Sequence, residues 1–445
     1  MSHQPLTNLA PDWAGFDQDL RESGEVSKPG EAADFARFAI DGMRPERVVR
    51  PTSIPQVCRV MESASARGLA VVPAGFGAHL GLGAAPGRPF LALVLGSLNE
   101  LVEHQPANMT LTAQAGMSLA QLQAVAARAG QWLPVDPPLP AEASVGGLIS
   151  ANLSGPSRFS QGTVRDLLIG ITVVRADGSL VKSGGRVVKN VAGYDMGKLY
   201  CGSLGTLGVI VEATFKLRTI PRARAVMRMT CPDMARVEAL LERIMTAPLE
   251  PLFIELVAHV PAAGAGYVVV VGFGGAPEDV ADQGATLTSL VAAEDRLEEL
   301  AGEEASVFLE ELRDSRVLGE GSLRLKASLL PARLSAFMAA LEKESQTGEL
   351  TMAVQAHAGN GIIQVRVVGA DGPDPRGSML GSVERLRAEA VGLGGTLVVE
   401  QAAAELKPDL DLWGGGIEGL ALMQRIKQTL DPGGILSPGR FVGGI

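Results

Sequence analysis

The sequence of 445 residues contains only three cysteines, and no two of them stand close together. Cys58, Cys201 and Cys231 form no CxxC pair, so a disulfide framework and a cysteine-ligated zinc or iron–sulfur site are both excluded. A chain with so few separated cysteines is typical of a reducing compartment, and we expect the cytoplasm.

Long apolar runs are also missing. The most apolar stretches, LALVLG and YVVVVGFGG, are far shorter than the ~18–20 residues that span a bilayer, so we expect strands there. The N-terminus lacks the basic start and apolar run of a signal peptide. An excess of positive charge is absent as well: the net charge of −10 argues against a general nucleic-acid binder.

Apolar residues make up 46% of the chain, which is enough for a full hydrophobic core. The sequence also shows a mixed pattern of helices and strands. From Val48 the pattern predicts strand, helix and strand, and Asp177-Gly178 predicts a hairpin turn. The first-half strands are not separated by a regular series of long helices, which favours a mixed α+β sheet. From Arg222 two rounds of β-α-β with an antiparallel sheet predict a ferredoxin-like domain. Residues 278–300 read as one long acidic helix, and residues 1–45 as an extension containing one short helix.

Three glycine-rich stretches punctuate the first half. Residues 73–83, PAGFGAHLGLG, follow a predicted strand but precede no helix, so a Rossmann fingerprint is excluded and a nest of backbone N–H groups for an anion remains. Residues 137–166 combine Gly146-Gly147 with small residues that would let a flat ligand approach the backbone. Residues 184–210 fit a compact surface loop and a ligand-binding wall equally well.

Taken in order, these stretches carry a resemblance. RPTSIPQV, PAGFGAHLGLG, DPPLPAEASVGGLISANLSG, GTVRDLLIGITVVRADG, GGRVVKNVAGYD, GSLGTLGVI and DPGGILSPGR resemble the vanillyl-alcohol-oxidase/PCMH family of FAD-linked oxidases. Within that family, GRVVKNVAGYDMGKLYCGSLGTLG is most similar to the FAD-binding E subunits of glycolate oxidase (glycolate dehydrogenase) complexes. The resemblance covers nearly all of residues 46–445.

The resemblance implies an α+β fold with four parts. Residues 46–220 would form a PCMH-type FAD-binding domain of two α+β subdomains, and residues 221–410 a ferredoxin-like cap domain. Residues 411–445 would return to the FAD-binding domain, and residues 1–45 would remain an N-terminal extension.

The resemblance also implies the residues that hold FAD. The pyrophosphate would bind the first stretch, and the flavin would lie along the second and third. The residues so implied are Ala74, Gly75, Phe76, Gly77, Ala78, His79, Leu80, Pro138, Ser144, Val145, Gly146, Gly147, Ala151, Gly155, Gly162, Arg165, Asp166, Gly208, Val209, Ile210 and Arg440. Some relatives attach FAD covalently to a histidine in the first stretch, but His79 stands one position too late, so we favour non-covalent FAD over covalent attachment.

Catalytic relatives that oxidise D-2-hydroxy acids carry a metal-binding motif, HAGDGNxH, with a later Glu-His. This chain has HAGNGIIQ from His357 to Gln364, and later Glu400-Gln401. Amides replace two imidazoles, and amides are poor ligands for transition metals, so we predict no metal site. His357 is then either a hydrogen-bonded histidine beside a turn or the remainder of a weakened metal site.

Arg313 and Arg324 fall roughly where relatives hold the substrate carboxylate, and both would equally suit the surface of the cap. We take His357, Arg313, Arg324 and Glu400 as the candidate catalytic residues.

These implied features lead to a functional hypothesis. The chain would be the FAD-binding subunit of a glycolate (2-hydroxy acid) oxidase complex, which converts glycolate to glyoxylate and passes electrons through flavin to a partner. A homologous FAD-linked oxidase subunit with the histidines intact would carry out the primary oxidation, and an iron–sulfur subunit would take the electrons onward at the inner face of the cell membrane. The alternatives are a stand-alone FAD-dependent oxidoreductase for another 2-hydroxy acid or alcohol, and a scaffold with a vestigial flavin site.

Overall fold

The computed structural model describes residues 11–22, 32–186, 193–260, 266–292, 295–314, 322–346, 348–369 and 374–445. The first sheet has three parallel strands in the order β1-β3-β2. Its elements and neighbours are α1 (Trp13–Glu22), α2 (Ala32–Arg37), β1 (Arg47–Val49), α3 (Ile54–Ala66), β2 (Ala70–Ala74) and β3 (Phe90–Val94). The strand, helix and strand predicted from Val48 onward are therefore present, with Pro55 in the first turn of α3.

Helix α1 lies in the N-terminal segment, for which the sequence predicted only one short helix further along. Phe16 and Leu20 of α1 are buried in the same apolar cluster as Val57 and Val60 of α3. Residues 11–22 are therefore part of a core, because the spacing of Phe16 and Leu20 puts both on one face of a helix.

The second sheet has five antiparallel strands in the order β4-β5-β9-β7-β8. This region comprises β4 (Leu101–Gln105), β5 (Thr110–Gln114), α4 (Leu119–Ala127), β6 (Gln131–Trp132), α5 (Val145–Ala151), α6 (Arg158–Gln161), α7 (Val164–Leu167), β7 (Leu168–Val174), β8 (Leu180–Gly184), α8 (Gly197–Tyr200), β9 (Val209–Lys216) and β10 (Arg218–Thr219). The hairpin predicted at Asp177-Gly178 joins β7 to β8, and Gly178 has a φ of +82°. Strands β6 and β10 form a separate two-stranded ladder.

The third sheet has eight antiparallel strands in the order β14-β11-β13-β12-β16-β17-β15-β18. Its region comprises β11 (Ala223–Cys231), α9 (Met234–Thr246), β12 (Phe253–Val260), β13 (Tyr267–Gly275), α10 (Pro277–Leu290), β14 (Arg296–Leu300), α11 (Gly302–Asp314), β15 (Ser322–Ser328), α12 (Leu334–Ser345), β16 (Leu350–His357), β17 (Ile362–Gly369), α13 (Pro375–Gly392) and β18 (Thr396–Ala402). We call residues 223–402 the cap and this sheet the cap sheet.

The cap contains two ferredoxin-like units where the sequence predicted one such domain. Strands β11 to β14 and strands β15 to β18 each follow the β-α-β-β-α-β order. The units join edge to edge through β12 and β16, so all eight strands form one continuous sheet.

The long acidic helix predicted for residues 278–300 is wrong in its second half. Helix α10 ends at Leu290, and Arg296–Leu300 forms β14, which pairs with β11. The edge of β11 supplies backbone partners that local sequence does not reveal, and Glu298 forms an ion pair with Arg228 on that strand.

The two faces of the cap sheet differ in chemistry. Helices α9, α10, α12 and α13 cover one face and form the largest apolar cluster with it. On the other face, alternate residues of the central strands are polar, as the two-residue period of a strand requires. That face turns toward the first two sheets and carries the site described below.

The C-terminal residues return to the first sheet after α14 (Leu420–Leu430). The Val71 N–H donates to the carbonyl of Ile435, and the Ser437 N–H donates to the carbonyl of Val71, each at 2.8 Å. The chain end is thereby held beside β2. Among the described helices, none combines the length and apolarity needed to cross a membrane.

Candidate functional site

The glycine loop, residues 75–84, leaves the end of β2 and reaches β3 with no helix between them. Gly77 has a φ of +90°, in the region that favours glycine. A Cβ atom at Gly75 would lie 2.0 Å from the Oγ atom of Ser144, so a side chain at Gly75 would collide with Ser144. The loop and α5 leave between them a space of about 60 Å³, which we call the loop cavity. Its walls include residues 73–80, Ser144, Gly147, Ser150, Ala151, Leu204 and Arg440.

Ser144 caps helix α5 at its N-terminus, because its Oγ atom accepts a hydrogen bond from the Gly147 N–H at 3.1 Å. The other end of α5 reaches a second, larger space at Ala151. The second glycine-rich stretch therefore contributes to both cavities through a single short helix.

The third glycine-rich stretch has two roles. Gly202 and Leu204 line the larger cavity, and Leu204 has a φ of +51°. A Cβ atom at Gly208 would lie 2.4 Å from Val173, so Gly208 is needed for packing between β9 and β7. Val209 and Ile210 are buried within β9. Residues 187–192 of this stretch lie outside the described residues.

Several residues implied by the resemblance line neither cavity. Val145 is buried in an apolar cluster, and Gly146 packs on Ala115. A Cβ atom at Gly155 would lie 1.9 Å from the carbonyl oxygen of Asp136. Gly162, Arg165 and Asp166, at the start of α7 or just before it, also line neither cavity, and the same holds for Gly208, Val209 and Ile210 of the third stretch.

Asp166 has a structural role that its position in α7 explains. Its Oδ2 atom accepts hydrogen bonds from the N–H and the hydroxyl of Thr163, and these hold the pKa of Asp166 below its usual value. The sequence around Gly162 is thus accounted for by helix capping.

The larger space, which we call the central cavity, has a volume of about 440 Å³. It lies between the glycine loop and the polar face of the cap sheet. Its walls include Ala78, His79, Leu82, Gly83, Pro138, Leu139, Ala151, Asn152, Leu153, Ser154, Arg158, Gly202, Leu204, Arg324, Lys326, His357, Gln364, Val398, Glu400, Gln401, Trp413 and Phe441. Three of the four candidate catalytic residues, His357, Arg324 and Glu400, therefore meet in one place.

Two cations of β15 face this cavity on the same side of the strand. Arg324 Nε lies 3.2 Å from Glu400 Oε2, and Lys326 Nζ lies 3.1 Å from Glu400 Oε1. One carboxylate therefore binds two cations, and the three side chains together carry one positive charge. Such a group suits the binding of a second, external carboxylate.

A β-bulge brings Gln401 to the same face of β18 as Glu400. The pairing of β15 with β18 runs from Arg324 opposite Gln401 to Leu325 opposite Val399, so Glu400 is the extra residue. Glu400 and Gln401 consequently both line the cavity, although adjacent residues of a regular strand point to opposite faces.

His357 is held by a buried carboxylate that the sequence did not reveal. Its Nδ1 atom lies 2.5 Å from Oε1 of Glu255, and Gln355 Nε2 donates to Oε2 of Glu255 at 2.8 Å. A carboxylate accepts hydrogen bonds, so Nδ1 carries the proton in this pair. Glu255 is 0% exposed and His357 2% exposed.

Amides occupy the remaining positions of the motif. Gln364 lines the cavity, and its Oε1 atom is buried without a hydrogen-bond partner. Asn360 lies in the turn between β16 and β17 and is not among the cavity residues. Among the described residues, no three or more His, Cys, Asp or Glu side chains come together as a metal site.

His79 contributes an imidazole from the glycine loop. Its Nε2 atom is buried without a partner in the described structure. Burial, and secondarily the charge of Arg324, lower the pKa of His79 to about 4, so the ring is neutral at neutral pH. The indole N–H of Trp413, also in the cavity wall, is likewise buried without a partner.

Arg313 lies elsewhere. Its guanidinium binds the carboxylate of the adjacent Asp314 at 2.8 Å, and Asp314 in turn accepts from the Leu139 N–H at 3.0 Å. The structure therefore separates the two candidate arginines: Arg324 faces the central cavity, and Arg313 supports its wall from outside.

Comparison with known proteins decides the family. The model of the FAD binding domain matches residues 45–184, and the model of the C-terminal domain of FAD linked oxidases matches residues 220–441. The chain belongs to the FAD-linked oxidases. The predicted FAD-linked oxidase family is thereby confirmed.

The proteins similar to this FAD-linked oxidase include glycolate oxidase subunits and a hydroxy-acid dehydrogenase. The glycolate oxidase subunit GlcD of Bacillus subtilis is 26% identical over 423 residues, covering 89% of each chain. The D-2-hydroxyglutarate dehydrogenase of Xanthomonas citri is 28% identical over 446 residues, covering 92% of this chain and 93% of the relative. The glycolate oxidase subunit GlcE of Escherichia coli is 40% identical over 129 residues, covering 29% of this chain and 37% of the relative.

Solved structures agree on the fold. p-Cresol methylhydroxylase with bound substrate superposes with a TM-score of 0.73 at 16% identity, covering 96% of this chain and 95% of that one. The 4-ethylphenol oxidase of Gulosibacter chungangensis also has a TM-score of 0.73, at 16% identity, with 98% of each chain covered. The predicted fold class, α+β with a PCMH-type FAD-binding domain and a ferredoxin-like cap, is confirmed.

The residues present in this FAD-linked oxidase suit its cofactor. The glycine loop approaches Ser144 closely at Gly75, and Gly77 adopts a φ of +90°, so this part of the loop presents backbone that can face a phosphate. In the central cavity, the buried His79 Nε2, Gln364 Oε1 and Trp413 Nε1 atoms lack partners within the described chain. Buried polar atoms without partners are rare, and a polar ring system or substrate would satisfy them.

Several residues of the candidate site escaped prediction. Glu255, Gln355 and Lys326 alternate with apolar neighbours in FIELVAHV, MAVQAHA and LRLKASLL, a pattern normally assigned to a solvent-facing strand surface. The alternation of polar and apolar residues was visible in the sequence, but it predicted that the polar side chains face solvent. In the structure they form a buried polar face of the cap sheet.

Proposed function

We propose that this FAD-linked oxidoreductase, which acts on CH–OH groups, is the FAD-binding subunit of a glycolate (2-hydroxy acid) oxidase complex, and that it passes electrons through flavin to a partner subunit. The observation that carries the proposal is the central cavity. It joins the glycine loop to a polar sheet face that has cations and amides but no metal-ligand cluster among the described residues.

The glycine loop, Ser144, Gly147 and Ala151 would hold FAD non-covalently. FAD, when bound, supplies an acceptor for the hydride of a hydroxy acid. The adjacent cap would receive the carboxylate of the acid, since Arg324 and Lys326 both face the cavity beside Glu400 and offer cationic donors there.

Gln364 and Gln401, which stand where the motif of catalytic relatives has histidines, support a division of labour. Glu255 engages the Nδ1 atom of His357, and Gln364 and Gln401 supply amides where a metal would need stronger ligands. We therefore assign the primary oxidation to a homologous partner subunit, and onward transfer to an iron–sulfur subunit. The likeness to subunits GlcD and GlcE of glycolate oxidases supports such an assembly. We place the complex in the cytoplasm, at the inner face of the cell membrane.

Expression of the chain alone and together with partner subunits tests the proposal. The chain alone should be yellow, with flavin absorbance near ~450 nm. Dye reduction by glycolate or D-lactate should be strong only in the assembled complex. Strong turnover by the isolated chain would contradict the proposed division of labour.

A stand-alone FAD-dependent oxidoreductase acting on another 2-hydroxy acid or alcohol is the second candidate. It is favoured by the presence of Arg324, Lys326 and His79 in one cavity, which together suffice to bind a carboxylate and to accept a hydrogen bond from a hydroxyl without a metal. Turnover without partners would establish this alternative.

A further inference from the structure

Five successive carbonyl groups of the glycine loop are bound by two buried cations. Arg440 donates to the carbonyls of Leu80, Leu82 and Ala84, and Lys407 donates to those of Gly81 and Gly83. The contacts alternate along the chain, so each carbonyl from Leu80 to Ala84 has a cationic partner. The Lys407 contacts measure 2.8 Å to Gly81 and 2.9 Å to Gly83.

The two cations have little access to water. Lys407 is 8% exposed and Arg440 4% exposed. Burial lowers the pKa of Lys407 and lowers that of Arg440 to about 10. Burying a charge is costly unless it is paired, and here Asp41 is the one carboxylate that pairs with either cation in the described part of the chain, with its Oδ2 atom 2.8 Å from Lys407 Nζ. Asp41, Lys407 and Arg440 together therefore carry one positive charge.

The three charged residues at the loop come from segments that are remote from one another in the sequence. Asp41 lies in the N-terminal segment that precedes the family match, Lys407 follows the last strand of the cap, and Arg440 lies near the chain end. The N-terminal segment holds the loop at a further point, because Arg37 Nε donates to the carbonyl of Phe76 at 3.0 Å. Phe38, 2% exposed, packs beside Gly77.

We propose that Asp41, Lys407 and Arg440 are positioning residues for FAD, which couple cofactor binding to the docking of the N-terminal segment and of the end of the cap onto the glycine loop. The inference rests on the proposed binding of FAD at this loop. The physical reason is that carbonyl oxygens repel phosphate. When Lys407 and Arg440 bind the carbonyls of Leu80 to Ala84, none of these carbonyls can turn toward the cofactor, and the ion pair of Lys407 with Asp41 holds the N-terminal segment against the loop.

Titration of FAD into the FAD-free full chain, followed by quenching of flavin fluorescence, tests the proposal. Lys407→Met should raise the Kd for FAD by roughly tenfold to a hundredfold, as expected for lost hydrogen bonds to a charged group. Lys407→Arg, which keeps the charge and the donors, should recover most of the affinity. Asp41→Asn, which removes only the charge of Lys407's partner, should also weaken FAD binding, and its effect should not add to that of Lys407→Met.

Lys427 offers a matched control. Its Nζ atom binds the same kinds of group, the carboxylate of Asp431 at 2.7 Å and the carbonyls of Thr206 and Leu436 at 2.8 Å and 2.7 Å, but no carbonyl of residues 80–84. Lys427→Met should lower the melting temperature without a comparable change in the Kd for FAD.

The outcomes separate the inference from the proposed function. A wild-type chain that binds no FAD would overturn both. If wild type binds FAD and Lys407→Met binds it equally well, or no worse than Lys427→Met does, the positioning role alone is overturned. If Lys407→Met fails to fold, the Kd of Asp41→Asn for FAD tests the positioning role instead. An unchanged Kd overturns the proposal. A raised Kd that Lys427→Met does not show supports it.

Discussion

The Nδ1 atom of His357 and the Oε1 atom of Glu255 lie 2.5 Å apart, at directly opposed positions of β16 and β12. These two strands are the seam between the two ferredoxin-like units of the cap. The pair therefore ties the units together at the floor of the central cavity, and it does so with two polar side chains that are almost fully buried.

This pair should be energetically coupled. In a double-mutant cycle of Glu255→Gln and His357→Gln, we expect a coupling free energy of about 1.5–3 kcal/mol, the range for hydrogen bonds to charged groups. Urea unfolding of the four proteins measures it. Glu299→Gln, the same change at an exposed position of the cap sheet, should alter the free energy of unfolding by less than about 0.5 kcal/mol. A coupling indistinguishable from zero would mean that the contact contributes nothing to stability.

Arg324 and Arg313 should differ in their effect on carboxylate binding. Because Arg324 faces the central cavity and Arg313 is bound to Asp314 outside it, Arg324→Gln should weaken the binding of glycolate by about tenfold or more, and Arg313→Gln by much less. Perturbation of the flavin spectrum by added glycolate measures binding without requiring turnover. Equal losses in the two variants would contradict the assignment of the substrate carboxylate to Arg324.

His79 should make stability depend on pH. Its folded pKa is lowered from 6.5 to about 4, chiefly by burial, so the unfolded chain binds the proton first as the pH falls. Stability is therefore lost on acidification through this window, and the His79 contribution between pH 7 and pH 5 is at most about 2 kcal/mol. His79→Gln should lose correspondingly less free energy of unfolding over that range.

The exposed His259 supplies the control for this measurement. Its replacement by Gln should leave the pH dependence as in the wild type. If His79→Gln and His259→Gln give the same slope as wild type, the imidazole of His79 is not held neutral in the folded protein.

Replacing Gly77 should weaken FAD binding by more than the backbone strain of the substitution alone would explain. Gly77→Ala places a side chain at a φ of +90°, and Gly394→Ala does the same at +79° in a turn of the cap with open space around it. Both should lose about 1 kcal/mol of stability. Only Gly77→Ala should raise the Kd for FAD, measured by fluorescence titration. A similar rise for Gly394→Ala would assign the effect to general destabilisation.

Local sequence was sufficient for most elements. The hairpin at Asp177-Gly178 and helix α3 with Pro55 follow from turn chemistry and apolar spacing, which act over a few residues. The second half of the predicted acidic helix failed for the complementary reason. RLEEL has the charge pattern of a helix, but the free edge of β11 determined that it pairs as β14.

The candidate site was predicted unevenly. The glycine loop was identifiable because Gly75 marks a backbone approach that a side chain would block, and Gly77 marks a backbone conformation that favours glycine. Gly155 and Gly208 carry the same sequence signal but serve packing against Asp136 and Val173. A glycine shows that space is short, and only the neighbouring atoms show whether a ligand or another strand takes that space.

By itself, the sequence determined most of the order of helices and strands, though neither α1 nor β14, together with the family and the replacement of two histidines by Gln364 and Gln401. Those features depend on residue identity and on short-range periodicity. Only the tertiary structure decided that the polar residues alternating along the central cap strands face a cavity, that a bulge brings Gln401 to the face of Glu400, and that Lys407 and Arg440 hold the glycine loop. The physical reason is that burial and charge pairing join segments hundreds of residues apart, and no local pattern encodes which polar surface the chain will later cover.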